Sequence, residues 1–191
     1  MNRAADVAIA GGALLLASPV LGLAALAIKL ADGAPILYRQ TRVGKDGRDF
    51  ELLKLRTMVV GAESMGAGYA VDRGDSRITR SGRVLRRLSL DELPQLWNVV
   101  RGDMSIVGPR PTLRYQVERY DERQRRRLEV KPGITGWAQV HGRAALPWPE
   151  RIELDVWYVD HRSPRLDLVI LLKTPLALLG GIYKGATGGW K

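Results

Sequence analysis

The chain has no cysteine among its 191 residues, which excludes disulfides, thiolate chemistry and cysteine-ligated zinc. Histidine is nearly as scarce. His141 and His161 are the only two, too far apart in sequence to form a metal-ligand motif, and read as ordinary core or surface residues. Internal repeats and low-complexity tracts are missing as well. The length suits one domain with a real core. Charge is lopsided: 30 Lys and Arg against 20 Asp and Glu give a formal net charge of +10. That surplus suits an anionic partner, whether nucleic acid, nucleotide or an anionic membrane face.

Charge is missing altogether from Val7–Ile28. These roughly 22 residues would rise about 33 Å as one helix, enough to cross a hydrocarbon core of about 30 Å. Ser18-Pro19 falls at the centre, however. Proline removes a backbone donor and clashes with the carbonyl four residues back. Each arm of about ten residues, or about 15 Å, would then cover only one leaflet. Arg3 precedes the stretch, while Lys29, Arg39, Arg42 and Lys45 follow it, and the positive-inside rule keeps that basic downstream part cytoplasmic. A spanning helix exports Arg3. A helix–break–helix keeps both basic flanks inside, with the Ser18 hydroxyl available to a freed carbonyl. On the residues alone the two topologies stand level. A cleaved signal peptide fits less well, because the apolar run is long and the basic leader minimal.

Further along, Ile36–Gln40 and Phe50–Arg56 flank Asp46-Gly47, a turn dipeptide that predicts a hairpin. Lys54 and Arg56 alternate with Leu53 and Leu55, giving a basic strand face that suits solvent and phosphate equally. Val59–Gly74, rich in glycine and small residues, reads as a loop. Asp75–Leu88 carries five arginines, a pattern usual for a solvated helix face and suited to steering an anion. Tyr115–Leu128 predicts one strongly charged helix, Pro132-Gly133 a turn, Trp137–Arg143 a short strand, and Glu150–Val159 a helix with Ile152, Val156 and Val159 at helical spacing. Leu166–Leu179 is apolar but short, and is interrupted by Lys173 and Pro175. It is expected in the core or at a membrane interface, with Tyr183 and Trp190 at headgroup level.

Chemistry concentrates in Ser89–Pro111, SLDELPQLWNVVRGDMSIVGPRP. Ser89 and Glu92 fit a capping box, with Leu90, Leu93, Trp97 and Val100 as the buried stripe of the helix. Pro94 resists a helix interior, and a helix starting there would leave Asp91 and Glu92 just ahead of its N-terminus. In either register, capping alone accounts for the acids. The residue types also suit catalysis. Two carboxylates can hold Mg2+ together with substrate phosphates, and an ionised aspartate is a competent nucleophile towards phosphorus. Gly108-Pro109-Arg110-Pro111 would fix a guanidinium for bidentate phosphate binding. A basic, membrane-held site with these groups points to phosphoryl chemistry on a lipid.

Several long motifs occur in one order: Asn2–Asp6, Ser18-Pro19, RQTRVGKDG at Arg39–Gly47, KLRTM at Lys54–Met58, DSRITRSGRVLRR at Asp75–Arg87, the central stretch, KPGITGWAQVHGR at Lys131–Arg143, and ELDVWYV at Glu153–Val159. Together they resemble the bacterial sugar transferase family, the monotopic phosphoglycosyl transferases, over nearly the whole chain. The resemblance implies transfer of a sugar 1-phosphate from a UDP-sugar to undecaprenyl phosphate with release of UMP, the first membrane step of bacterial surface-glycan synthesis. It implies Asp91 as the nucleophile of a covalent phosphosugar–aspartate intermediate in a ping-pong sequence. Glu92 would assist at the metal or help to deprotonate the acceptor, and the two acids are the expected Mg2+ ligands. Arg86 and Arg110 match phosphate-contacting positions, whereas Lys54, Arg56 and Arg143 match motifs without specified contacts. The Ser-Pro break implies a re-entrant helix with both ends cytoplasmic. The chain resembles the minimal catalytic form, since larger relatives carry several transmembrane helices and an extra domain before this unit.

The expected fold is therefore α+β. A re-entrant membrane helix occupies residues 1–30. A catalytic domain over 31–191 holds a hairpin or small sheet and several amphipathic interfacial helices, on the cytoplasmic face of the bacterial inner membrane. Expected partners are the UDP-sugar, undecaprenyl phosphate and membrane lipids, with a membrane-plane dimer compatible and no nucleic acid. Two competitors remain: a membrane-anchored phosphohydrolase using the same acids with water as acceptor, and a basic membrane-tethered nucleic-acid-binding or scaffold protein. The ordered acidic and glycine-proline motifs argue against the latter, since basic binding does not need them.

Overall fold

The computed structural model describes residues 2–66, 68, 71, 74–142 and 146–183. Its first element, α1 (Arg3–Ala31), is one continuous helix. The Ser18-Pro19 dipeptide expected to break it lies within the helical path. Pro19 cannot donate to the Leu15 carbonyl four residues back, and Ser18 Oγ donates to that same oxygen at 2.7 Å. The hydroxyl thus satisfies the carbonyl as the sequence predicts, while the helix carries on.

α1 is docked by its two ends. Near its start, Arg3 donates to the carbonyls of Val99 (2.5 Å) and Val100 (2.6 Å). The buried Asp6 carboxylate accepts from the Ser105 hydroxyl (2.9 Å) and the Ile106 amide (2.9 Å). Near its end, Ile28 packs with Leu55 and Leu85, Ser81 donates to Asp32, and Arg56 donates to the carbonyls of Asp32 (2.7 Å) and Gly33 (2.9 Å). No residue between Gly11 and Leu23 is buried, and Leu15 and Leu16 are 77% and 84% exposed.

The predicted hairpin forms from β1 (Leu37–Val43) and β2 (Asp49–Leu55), antiparallel, with Leu37 opposite Leu55 and Val43 opposite Asp49. Its first strand runs three residues further than the sequence pattern indicates, ending at Val43 rather than Gln40. Asp46 and Gly47 turn the chain at φ of 56° and 73°, the left-handed region that Asp tolerates and Gly adopts freely. Alternation places Tyr38, Gln40 and Arg42 on the same face as Lys54, Leu52 and Phe50.

α2 (Arg80–Arg87) is capped by Thr79, whose hydroxyl accepts from the Gly82 amide at 3.0 Å. The five-arginine run divides by environment. Arg80, Arg83 and Arg87 are exposed, whereas Arg77 is buried, pairs with Asp75, and donates to the carbonyls of Ala62, Met65 and Gly68. Arg77 is what organises the loop that sequence alone cannot place.

α3 (Gln95–Arg101) begins after Pro94, so the second register is the observed one. The capping box does not form: Ser89 is left-handed (φ 55°) and caps nothing, and Leu90–Glu92 make a single 3-10 turn. Of the expected stripe, Leu90, Leu93 and Val100 are half-buried against the core, and Trp97 is the exception. Leu96, Asn98 and Val99 are buried, and Trp97 faces out. Asn98 accepts from the Leu53 amide (3.1 Å) and donates to the Glu51 carbonyl (2.7 Å), splinting α3 onto β2.

β3 (Ser105–Val107) and β4 (Gly133–Thr135) form a two-stranded parallel pair. Between them, α4 (Arg114–Val117), α5 (Glu122–Arg125) and a 3-10 turn at Arg126–Leu128 replace the single helix expected over Tyr115–Leu128. Asp121 causes the restart by accepting from the Gln124 amide at 2.8 Å. The strand expected over Trp137–Arg143 is instead α6 (Trp137–Val140), begun when the Gly136 carbonyl accepts from the Val140 amide at 3.1 Å. Arg143 and Trp190 lie outside the described residues.

α7 (Trp148–His161) and α8 (Pro164–Tyr183) close the α+β fold. α7 buries Ile152 and Val156 but also Asp155, and Tyr158 donates to Asp167 of α8 at 2.6 Å. The main core gathers Ala10, Leu52, Leu96, Val99, Met104, Ile106, Tyr158 and Ile170, joining α1, the hairpin, α3, β3, α7 and α8. α8 leaves Leu168, Val169, Leu172 and Leu176 exposed, an outward apolar stripe.

Candidate active site

Asp91 and Glu92 sit on the 3-10 turn between α2 and α3, held there by left-handed Ser89 before them and Pro94 after. The two neighbours differ in company. Glu92 accepts from Lys54 Nζ at 2.9 Å and from Arg110 Nη2 at 2.6 Å. Asp91 is buried and has no hydrogen-bond or ion-pair partner among the described residues.

Their electrostatics diverge accordingly. Burial alone would raise Glu92, but Arg110 and Lys54 outweigh it and hold the carboxyl well below its ordinary value. For Asp91, burial and then the Glu92 charge push the pKa up, with Lys54, Arg86 and Arg110 opposing. Burial and Arg110 lower the Lys54 ammonium, partly offset by Glu92, whereas the Glu92 charge raises Arg110.

Each cation reaches the cluster from a different element. Lys54 comes from β2, on the inward face of the hairpin. Arg86 comes from the last turn of α2, where its Nε donates to Thr57 Oγ1 at 2.8 Å. Arg110 comes from the turn after β3, which is pinned from three sides. The Gly108 amide donates to the Thr135 carbonyl (2.9 Å), the Gly133 amide to Pro109 O (2.8 Å), and Arg127 Nη2 to Arg110 O (3.1 Å). Glycine is required at this crossing. A Cβ on Gly133 would stand 2.1 Å from Gly108 N, and one on Gly136 2.2 Å from Gly108 O.

Arg127 is itself buried, donating to Tyr120 Oη at 2.5 Å and paired with Asp155. Burial pushes Asp155 up to about 6 despite that partner. Sequence reasoning overlooked this support. Its signal was an acid on the apolar face of α7, with Ile152 three residues before Asp155 and Val156 next to it.

Of the residues singled out by sequence, the structure thus brings Asp91, Glu92, Lys54, Arg86 and Arg110 together. Arg56 does not join them: it is buried and holds the carbonyls at the end of α1. Among the described residues no group of three or more His, Asp or Glu side chains converges as a metal cage. A single unpartnered carboxylate beside Lys54, Arg86 and Arg110 is a donor set that fits Mg2+, which is held by one or two carboxylates plus substrate phosphates.

A family model described as "Bacterial sugar transferase" matches residues 1–181. The chain belongs to the bacterial sugar transferase family. That match takes in the long apolar helix α1 as well as every residue of the cluster. Among similar members of the family is the sugar transferase EpsL of Bacillus subtilis, 51% identical over 77% of this chain and 71% of that protein. A second is the UDP-glucose:undecaprenyl-phosphate glucose-1-phosphate transferase of Caulobacter vibrioides, 46% identical over 93% of this chain and 69% of that protein. A third is the UDP-N-acetylgalactosamine-undecaprenyl-phosphate N-acetylgalactosaminephosphotransferase of Aeromonas hydrophila, 43% identical over 95% of this chain. The chain spans 44% of the length of that last relative.

Proposed function

We propose that this bacterial sugar transferase moves a sugar 1-phosphate from a UDP-sugar to undecaprenyl phosphate, releasing UMP, as an initiating membrane step of surface-glycan synthesis. The observation that carries the proposal is the asymmetry of the acid pair. Glu92 is neutralised by two cations, while Asp91 is buried and unpartnered. A desolvated carboxylate without a hydrogen-bond partner is, in its ionised form, an activated oxygen nucleophile.

In the first half-reaction Asp91 attacks the sugar-bearing phosphorus and forms an acyl-phosphate bond. The bond from that phosphorus to the bridging oxygen breaks, and its electron pair leaves on UMP. Arg110 and Arg86 bind the charge on the phosphoryl oxygens, and the Glu92 salt bridges hold Arg110 and Lys54 in place. In the second half-reaction the polyprenyl phosphate oxygen attacks the same phosphorus and Asp91 leaves as carboxylate. Mg2+, held by Asp91 with Glu92 beside it, would withdraw charge from the diphosphate.

The topology belongs to the same proposal. α1 enters and leaves the membrane by the cytoplasmic face. Both of its ends are bonded to one catalytic unit while its middle is apolar and exposed. The site then lies where a cytosolic donor meets a lipid phosphate.

Single-turnover mass spectrometry with Mg2+ and a panel of UDP-sugars, without lipid, tests the mechanism. A phosphosugar adduct on Asp91, with UMP released and the adduct discharged by undecaprenyl phosphate, is the expected result. Full transfer by folded Asp91→Asn protein would remove Asp91 as nucleophile. Sugar phosphate released into water regardless of lipid would make the protein a phosphohydrolase.

A further inference from the structure

Arg42 belongs to none of the groups assigned above, yet its position makes it part of the same site. Along the inward face of the hairpin, Tyr38 stands directly across from Lys54, and Arg42 lies four residues further on β1. A bridge between Val43 and Thr112 ties this end of β1 to the chain just past the Gly108–Pro111 turn. The Arg42 side chain folds back over the strand. Its Nε and Nη2 donate to Gln40 Oε1 at 3.0 and 2.6 Å, and Nη1 reaches the Pro111 carbonyl at 3.4 Å.

All of these partners are neutral. Among the described residues no carboxylate lies within ion-pair distance of Arg42. A half-buried guanidinium without an acid is unusual company for Arg110, whose own acid, Glu92, is already shared with Lys54. The molecule registers the cost: burial first, and then repulsion from Arg110, push Arg42 down to about 10. Arg42, Lys54, Arg86 and Arg110 thus gather around one pair of acids, of which Glu92 is already paired with Lys54 and Arg110.

We infer that Arg42 is a further donor-binding residue, contacting the phosphate on the nucleotide side of the diphosphate. The inference rests on the sugar-phosphate transfer proposed above. Arg110 pairs with Glu92, the neighbour of Asp91, and Arg42 reaches the carbonyl of Pro111, the residue after Arg110. A diphosphate running past Arg110 would then put the sugar-bearing phosphorus at Asp91 and the other phosphate at Arg42. When the bridging bond breaks, the nucleoside monophosphate gains one negative charge. Arg42, protonated at neutral pH and without an acid of its own, meets that charge with no proton transfer. The Gln40 side chain fixes the guanidinium without neutralising it.

The test measures binding of UDP, with Mg2+, to full-length wild-type, Arg42→Gln and Arg42→Lys protein by titration calorimetry, alongside melting temperatures. It also measures the two half-reactions separately. Arg42→Gln should weaken UDP binding tenfold or more and slow UMP release similarly. Discharge of fully loaded adduct by undecaprenyl phosphate should stay at the wild-type rate, and Arg42→Lys should fall between. Unchanged UDP affinity in Arg42→Gln would overturn the inference. So would equal losses in both half-reactions with a lowered melting temperature, which would make Arg42 a brace between Gln40 and Pro111. Failure of the parent reading looks different: wild-type protein would form no adduct with any UDP-sugar, while the UDP comparison would still decide Arg42.

Discussion

Arg127 donates to the main-chain carbonyl of Arg110 at 3.1 Å, so the arginine that faces Glu92 is held from behind by one that does not. The chain of contacts runs from Asp155 on α7 through Arg127 to the backbone of the Gly108–Pro111 turn. A buried ion pair is weak support for stability, because desolvation offsets much of its attraction. Here its product is a fixed carbonyl, and through it a fixed guanidinium.

That separation of roles is measurable. Arg127→Met leaves Asp155 buried without its partner and should cost about 3–5 kcal/mol. Adding Asp155→Leu removes the orphaned charge, and the double variant should recover most of the melting temperature. Its kcat/KM for the donor should stay about tenfold below wild type, because Arg110 still lacks its rear contact. Recovery of both together would reduce the pair to packing.

Asp155 also gives stability a pH dependence with a definite sign. Its folded pKa of about 6 lies above the ordinary aspartate value of about 3.9. The folded chain therefore keeps a proton that the unfolded chain has already lost. This contribution is complete below about pH 4 and is lost as pH rises through about 6. Melting temperature should rise between pH 7.5 and pH 5, and Asp155→Asn should flatten that rise. Asp91, shifted in the same direction, contributes a slope of the same sign.

Lys54 is the largest single charge opposing the upward push on Asp91. Replacing it with glutamine should raise the Asp91 pKa further, so less of the nucleophile is ionised at a given pH. The acidic limb of the kcat/KM profile for UMP release should then move to higher pH in Lys54→Gln, beyond any drop in its plateau. A limb that stays put would show that it reports some other group.

The absence of cysteine turns topology into a clean labelling experiment. Single cysteines at Asn2 and at Asp46 lie on either side of α1, in a protein with no background thiol. Both should resist a membrane-impermeant maleimide in intact spheroplasts and react once the membrane is opened. Labelling at position 2 alone in intact cells would mean that α1 spans.

Much of this arrangement could be read from residue order. Asp46-Gly47 gave its hairpin because few other dipeptides tolerate two consecutive left-handed residues. The acids of the central turn and Arg110 could be named because their types announce charge chemistry. What stayed hidden was decided by distant partners. Ser89 and Glu92 spell a capping box, but Lys54 and Arg110, 38 and 18 residues away, bind the Glu92 carboxylate instead. Trp97 should have been buried by local spacing, yet Asn98, bonded to β2, takes the buried position beside it and leaves the indole exposed. Arg56 and Arg86 look alike in sequence, and only tertiary contact sends one to the end of α1 and the other to Asp91.

The two-ended docking of α1 has a mechanical meaning. Its N-terminal clasp grips Ile106 and Ser105, which lead into the Arg110 turn; its C-terminal clasp grips Ser81 and Arg56, beside the elements that carry Arg86 and Lys54. The helix is therefore a tie-bar between the strand that leads to Arg110 and the elements that carry Arg86 and Lys54. In the topology proposed above, lipid surrounds the middle of that bar, and the membrane would become a structural part of the enzyme.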